Sequence, residues 1–454
     1  LITTRKDTDL TETITAQTPG RLIFDKDGDI DQQTMDDLTA AIRTDGITDL
    51  VVFSHGWNND EATAKSLYER WFGLLAAQVD AGRNVGYVGV RWPAQLWRDE
   101  PIPDFVAAPA ADHGGAAGLN ETPVIEAGSP TIDPAQLADL KDMFPNGTKQ
   151  LDTIADLLAQ PAGPETATRL FAAMREFSSA VGVASSDGEA DPSKEPGMLD
   201  EDRKAADVFT KFSDGLAQAG VEFDGGGGEA GLGDIAAKLL NGAKEALRQL
   251  TYWQMKNRAG VVGQMGLGPA IDKLADDFPN LRIHLIGHSF GARVVSFALA
   301  GIRESQPSPV KSVTLLEAAY SRFAFGHGLP FGGNGALDGK LARVDGPLTV
   351  CFSSHDQALS LFYPLASAAA GDDTAGADDP LARFRAMGSL GAFNVQPQML
   401  GKVGTSYPFK AGEILNLDSS DVVIAGDSPS GAHSDIFHPQ LAWVAAAAAD
   451  LNTA

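Results

Sequence analysis

Short apolar runs alternate with stretches of helical period at both ends of this chain, and a long polar stretch separates the two ends. Arg21–Asp25 (RLIFD), Asp49–Ser54 (DLVVFS) and Asn84–Arg91 (NVGYVGVR) read as strands, being brief apolar runs bounded by turn residues. Asp31–Arg43 and Glu61–Ala81 fall between them with helical spacing, and Leu67, Trp71, Leu74 and Leu75 share one face of the second. The same alternation returns after Thr251. It predicts a helix over Ala259–Phe278, a strand over Leu281–Gly287, a helix over Ala292–Ser305, and strands at Lys311–Glu317 and Pro347–Ser353. Glu413–Leu417 and Asp421–Ala425 give a last strand region, and Pro439–Leu451 an Ala-rich closing helix. Strands that alternate with helices in this way predict an α/β fold, a mostly parallel sheet flanked by helices.

From Asp99 to Leu250 no strand pattern is convincing. Amphipathic helices are predicted at Pro134–Met143, Glu165–Val181, Asp202–Ala219 and Asp234–Leu250, with Leu170, Phe171, Met174, Phe177 and Val181 forming one stripe. Ser185–Pro196 and Asp224–Gly233 read as flexible loops. A span of roughly 150 residues is too long for a plain connection. The chain therefore divides into a first core part (1–98), a helical cap or lid insertion (99–250) and a second core part (251–454); a decorative or oligomerising insertion is the alternative. A second insertion, Tyr363–Ala411, carries the acidic loop Gly371–Asp379, read as a solvated tip. The Gly-rich stretch Gly326–Gly339 lacks the Gly-Lys-Ser/Thr ending of a phosphate-binding loop and reads as a surface loop.

Charge and composition narrow the partners. The 454 residues carry a formal net charge of −25, which argues against a nucleic-acid backbone as partner. Most of that excess lies in the insertion, which holds 27 acidic against 11 basic residues. A single cysteine, Cys351, leaves no intrachain disulfide and no cysteine-rich zinc site. Such usage fits a cytoplasmic protein, and it fits an exported protein without disulfides; a chain starting at Leu1 is compatible with a removed signal peptide. No apolar run reaches the roughly 18 residues of a membrane-spanning helix. Asp25, Asp27, Asp29 and Asp31 alternate like the start of a calcium loop. Ile30 stands where such a loop needs Gly and Asp36 where it needs Glu, so an acidic turn entering a helix N-terminus is the better reading.

The chemistry concentrates at Gly287-His288-Ser289-Phe290-Gly291, set between a predicted strand and a predicted helix. A reversal so tight strains its central residue, and Gly287 and Gly291 remove side chains that would collide with neighbouring elements. The serine hydroxyl is then held at the carboxyl end of the strand with a helix N-terminus behind it. Earlier in the chain, a buried strand runs into His55-Gly56-Trp57. Gly56 would let the Trp57 N–H turn toward a developing negative charge, supplying an oxyanion donor; the alternative is a plain strand end with Trp57 in the core.

FSHGWNND, LIGHSFGARVV, SSHDQAL and GAHSDIFHP, in that order, resemble the α/β-hydrolase superfamily, most closely bacterial serine hydrolases with a His-Gly oxyanion strand. The resemblance spans roughly residues 20–98 and 251–450 and matches the family's Ser, acid, His chain order. It implies an α/β-hydrolase fold and a serine hydrolase of esters, thioesters or some amides. By resemblance Ser289 is the nucleophile, Asp356 the acid and His433 the base, with the Phe290 and Trp57 N–H groups as oxyanion donors and no metal or cofactor. Trp57 and Asn58 depart from the HGGG pattern of lipases and esterases. Glu317, at a predicted strand end, is the alternative acid. His438 is the alternative base, though its place before Pro439 suits a helix start. A carboxylic-ester hydrolase acting on a small-molecule or lipid ester is the leading expectation. An amidase or peptidase with the same residues, a non-catalytic binding protein and a membrane-active lipase are the others.

Overall fold

Eight strands join in one sheet whose pairings are all parallel, in the order β1-β3-β2-β4-β5-β6-β8-β7. They are β1 (Gly20–Ile23), β2 (Asp49–Ser54), β3 (Val85–Arg91), β4 (Arg282–His288), β5 (Val310–Leu316), β6 (Leu348–Phe352), β7 (Pro397–Met399) and β8 (Ile414–Asp418). This computed structural model describes residues 13–94, 97, 130–181, 199, 203–218, 232–304, 307–362, 386–426 and 431–453, with 58 and 331 excepted. The loops expected at 185–196 and 371–379, most of the one at 224–233, and His113 lie outside the described residues.

The sheet is covered on both faces, which is why its strands read as continuous apolar runs rather than alternating ones. One face packs α2 (Glu61–Ala76) and α10 (Pro439–Ala448) against Val51, Phe53, Ile286, Leu316 and Cys351. The other packs α1 (Gln32–Asp45), α8 (Gly268–Asp277) and α9 (Phe290–Gly301) against Leu50, Val52, Leu285, Val313 and Val350. Strand order reverses between β2 and β4: the chain steps from β2 outward to β3, returns to β4 on the other side, then proceeds to β5 and β6. The crevice beyond the carboxyl ends of strands at such a reversal is where open α/β sheets place their ligands. Ser54 pairs with Gly287 and His288 with Leu316, so the ends of β2, β4 and β5 meet there.

The described residues of the span 99–250 are mostly helical. They belong to α3 (Pro134–Met143), α4 (Thr148–Leu158), α5 (Pro164–Val181), α6 (Ala205–Gln218) and α7 (Leu232–Val261). Leu170, Phe171, Met174 and Phe177 of α5 are buried, with Phe144 and Phe209 edge-on to Phe177 and Phe171. Two expectations are corrected. The helices foreseen at Asp234–Leu250 and Ala259–Phe278 are joined: α7 runs across position 250, widens into one π-type stretch at Val262–Leu267 and continues as α8. The strand foreseen at Asp421–Ala425 is a turn, in which Val422 and Val423 N–H groups fold back onto the Ser419 carbonyl. No described helix is long and apolar enough to cross a membrane.

Candidate active site

Ser289 takes φ 54° and ψ −124°, a conformation that side chains rarely adopt. The neighbourhood over-determines it. Its N–H donates to the Leu316 carbonyl at 3.1 Å, and its carbonyl accepts from Ala292 and Ala319 N–H at 3.1 and 3.2 Å. A Cβ on Gly291 would lie 1.9 Å from the Ser54 carbonyl oxygen, so only glycine lets α9 start this close to the end of β2. Gly287 is equally constrained, since its Cβ would meet the Ala292 backbone at 2.5 Å.

Two loops converge on this serine. His433, in the short 3-10 turn Ala432–Ser434 after β8, brings Nε2 to 2.9 Å from Ser289 Oγ. Its Nδ1 lies 2.6 Å from Asp356 Oδ2, and Asp356 Oδ1 accepts the Leu359 N–H at 2.9 Å. With Nδ1–H donating to the carboxylate, Nε2 is left as the acceptor facing the serine hydroxyl. All three side chains are buried, Asp356 completely. His288 Nε2–H donates to the His433 carbonyl at 2.8 Å, with its ring centroid 5.0 Å from that of His433. Burial holds His288 well below the ordinary imidazole range, with the neighbouring His433 acting the same way, so it braces the loop as a neutral ring. His438 does not reach the site. It precedes α10 in extended conformation, and its Nε2 pairs with Asp435 Oδ1 at 2.8 Å.

The His55-Gly56-Trp57 segment leaves β2 beside the elbow. The His55 N–H donates to the Tyr68 hydroxyl at 3.0 Å, and that hydroxyl donates to the Val90 carbonyl. Trp92 stacks on the His55 ring at 5.7 Å and donates its indole N–H to the His55 carbonyl at 3.2 Å. His55 Nδ1–H donates to the Gly56 carbonyl at 2.9 Å, and burial pushes the ring down to about 4, so it stays neutral. The Trp57 carbonyl accepts from the Asn59 amide at 2.9 Å, and Asp60 caps α2 through the Thr63 N–H. The Trp57 ring is half-buried, 5.2 Å from Tyr252 and 6.1 Å from Phe290. Tyr252 lies 4.8 Å from Phe290 and belongs to α7, so the long helix brings its own aromatic ring to the residue next to Ser289. Nothing in the local pattern of α7 singles out that tyrosine. Phe290 and Gly291 open α9, in the first turn where an α-helix offers its N–H groups no intrahelical acceptor.

Glu317 is 1% exposed, directly after β5, with φ 44°. It does not touch His433 by any hydrogen bond described; its carboxyl meets that of Asp356. The acidic turn before α1 is self-satisfied: Asp25 Oδ1 accepts from Asp27 and Asp29 N–H at 2.9 Å, and Asp31 caps the helix. Among the described residues no cluster of three or more His, Cys, Asp or Glu side chains is arranged to hold a metal ion. A cavity of about 710 Å³ beside β1, lined by Arg21, Asp37, Glu61, Lys65 and Arg91 among others, includes none of Ser289, His433 and Asp356. No family model, curated protein or solved structure matches the chain, so a functional reading rests on these side chains themselves.

Proposed function

We propose that the protein is a carboxylic-ester hydrolase of the α/β-hydrolase kind, with Ser289 as nucleophile, His433 as general base and acid, and Asp356 as the carboxylate that orients the imidazole. The observation that carries the reading is the unbroken chain Ser289 Oγ, His433 Nε2, His433 Nδ1, Asp356 Oδ2, with contacts of 2.9 and 2.6 Å, ending on a serine in strained backbone geometry. A serine hydroxyl is a poor nucleophile at neutral pH. Here His433 Nε2 would accept its proton as Oγ bonds to the acyl carbon, the carbonyl electron pair moving onto oxygen. The Phe290 and Trp57 N–H groups would meet that oxyanion, each contributing on the order of 3 kcal/mol of barrier lowering in comparable sites. The imidazolium, stabilised by Asp356, returns the proton to the departing alkoxide, and water repeats the sequence on the acyl-enzyme.

The helical insertion serves in this reading as a cap, and Tyr252 with Trp57 and Phe290 gives it an aromatic contact beside the nucleophile. The test is turnover of p-nitrophenyl esters of graded chain length beside a p-nitroanilide, in the wild type and in Ser289→Ala. Ester turnover that vanishes in the variant supports the proposal. Anilide turnover exceeding ester turnover points to an amidase, and no turnover of either to a binding protein.

A further inference from the structure

We propose that Glu317 is a fourth, positioning member of the site: a buried neutral carboxyl that donates a hydrogen bond to Asp356 and keeps it aimed at His433. Glu317 and Asp356 are two buried carboxyls gathered on one turn: Glu317 Oε2 accepts the Ser353 N–H at 3.2 Å, and the Asp356 N–H donates to the Ser353 carbonyl at 3.3 Å. Two carboxyls in contact there without water can pair only if one of them carries a proton. The surrounding donors decide which. Asp356 accepts His433 Nδ1–H on Oδ2 at 2.6 Å and the Leu359 N–H on Oδ1 at 2.9 Å, so both of its oxygens already serve as acceptors. Among the described residues, the one N–H that Glu317 receives is that of Ser353, on Oε2 at 3.2 Å. Burial holds Cys351, the nearby thiol on β6, in its neutral form. Burial, reinforced by the Asp356 charge, accordingly raises Glu317 well above the carboxylic-acid range.

The backbone is built to hold this side chain where it is. Glu317 keeps φ 44°, an uncommon conformation outside glycine, while its N–H continues the ladder to Cys351 at 3.2 Å. The turn at Met387–Leu390 lies across it: the Gly388 N–H donates to the Ala318 carbonyl at 2.9 Å, and Ser353 N–H donates back to Gly388 at 3.1 Å. A Cβ at Gly388 would stand 2.3 Å from the Glu317 carbonyl carbon. Strand end, acid loop and turn are thus locked around one carboxyl.

What Asp356 is held for rests on the hydrolase reading; the proton on Glu317 does not, and the experiment separates the two. In Glu317→Gln the amide supplies the donor to Asp356 and the acceptor to Ser353. Its ester turnover should stay within about threefold of wild type. Glu317→Met keeps the volume and removes both groups; its kcat should fall roughly a hundredfold with little change in KM, and the downfield proton resonance of His433 Nδ1–H should shift or broaden. Two readouts need no activity. The infrared difference between wild type and Glu317→Gln at neutral pH should show loss of one protonated carboxylic-acid band. The folded state holds the Glu317 proton above 4.5, where the unfolded chain has released it, so wild-type stability falls relative to Glu317→Gln as pH rises from there. The proposal is overturned if Glu317→Gln is as impaired as Glu317→Met, if Glu317→Met folds and turns over normally, or if no acid band is lost. It also falls if Asp356→Asn stays active while Glu317→Gln is dead, since Glu317 would then be the acid itself. Absence of ester turnover in the wild type counts against the hydrolase reading alone, and the infrared and stability readouts still decide the proton.

Discussion

Asp356 and Gly431 face each other across an isolated antiparallel bridge, so the loop that carries Asp356 is stitched to the loop that carries His433, two residues before that histidine. The Ala432 N–H reinforces it by donating to the His355 carbonyl at 3.0 Å. Gly431 has φ 59° and ψ −140°, and a Cβ there would lie 2.5 Å from that same carbonyl oxygen. Gly431→Ala should therefore cost about 1–3 kcal/mol of stability and loosen the approach of His433 to Ser289. Thermal unfolding and ester kinetics check it: the variant should melt lower and lose at least roughly tenfold in kcat. A variant with wild-type melting and turnover would show that the bridge does not set the alignment.

Ser289 offers a test of stored strain apart from chemistry. Its φ of 54° is unfavourable for any residue with a Cβ and ordinary for glycine. Ser289→Ala and Ser289→Gly should both abolish fluorophosphonate labelling and ester turnover. Only the glycine variant relieves the backbone, so it should be the more stable of the two by about 1 kcal/mol, despite the usual entropic cost of glycine. Equal melting points, or a less stable glycine variant, would contradict the strain.

The serine, the histidine and the aspartate were legible because each sits where a short apolar run ends in a small cluster of polar residues, a pattern that survives in one dimension. Gly-x-Ser-x-Gly also carries its own steric reason, and the close approaches at Gly287 and Gly291 are that reason in three dimensions. Other features left no such trace. β7 is three residues, all exposed, and begins with Pro397, so neither apolar content nor β-branching marks it. Asp421–Ala425 has the residues of a strand, but Ser419 turns the chain first, its N–H donating to Phe352 and its carbonyl accepting from Val422 and Val423. α4 was missed although Leu151, Ile154, Leu157 and Leu158 form a buried face, because Pro145-Asn146-Gly147 reads as a break and is instead a helical turn entering it. Glu317 reads as an acid at a strand end, but its place beside Asp356 depends on the side-by-side placement of β5 and β6, which a linear pattern does not hold.

His433 and His438 stand five positions apart with opposite surroundings, and alanine variants should separate them. His433→Ala removes the only imidazole within hydrogen-bond distance of Ser289 among the described residues, and should lower kcat by roughly a thousandfold or more. His438→Ala loses the contact with Asp435, whose Oδ2 still accepts the Ile424 and Ala425 N–H groups at 3.0 and 2.8 Å. Turnover there should stay within a few-fold, with a stability loss of about 1 kcal/mol at most. Inactivation by His438→Ala with survival of His433→Ala would reverse the assignment of the base.

Acid lability should follow from the histidines this fold buries in neutral form. Burial is the first cause of a lowered pKa at His55, His284 and His288, and His55 is pushed down to about 4 from an ordinary 6.5. The unfolded chain takes up protons as pH falls through 6.5, whereas the folded chain resists until near 4. The stability these rings contribute is therefore complete above the unfolded value and is lost on acidification; for His55 the loss reaches about 3 kcal/mol. Asp49 acts in the same direction lower down. Burial alone would raise it, but hydrogen bonds from His284, at 3.1 Å, and from Thr48 bring it below 3.8, so its contribution is lost only as pH falls through that lower folded value. His284 Nδ1 accepts from the Ser312 hydroxyl at 3.0 Å, which fixes Nε2–H toward Asp49 and keeps the neutral ring fully paired. Thermal melting from about pH 7 to about pH 4 should show a steady fall in wild type and a shallower one in His55→Gln, whose side chain does not titrate. A flat wild-type profile over that range would mean that these rings accept protons within the fold.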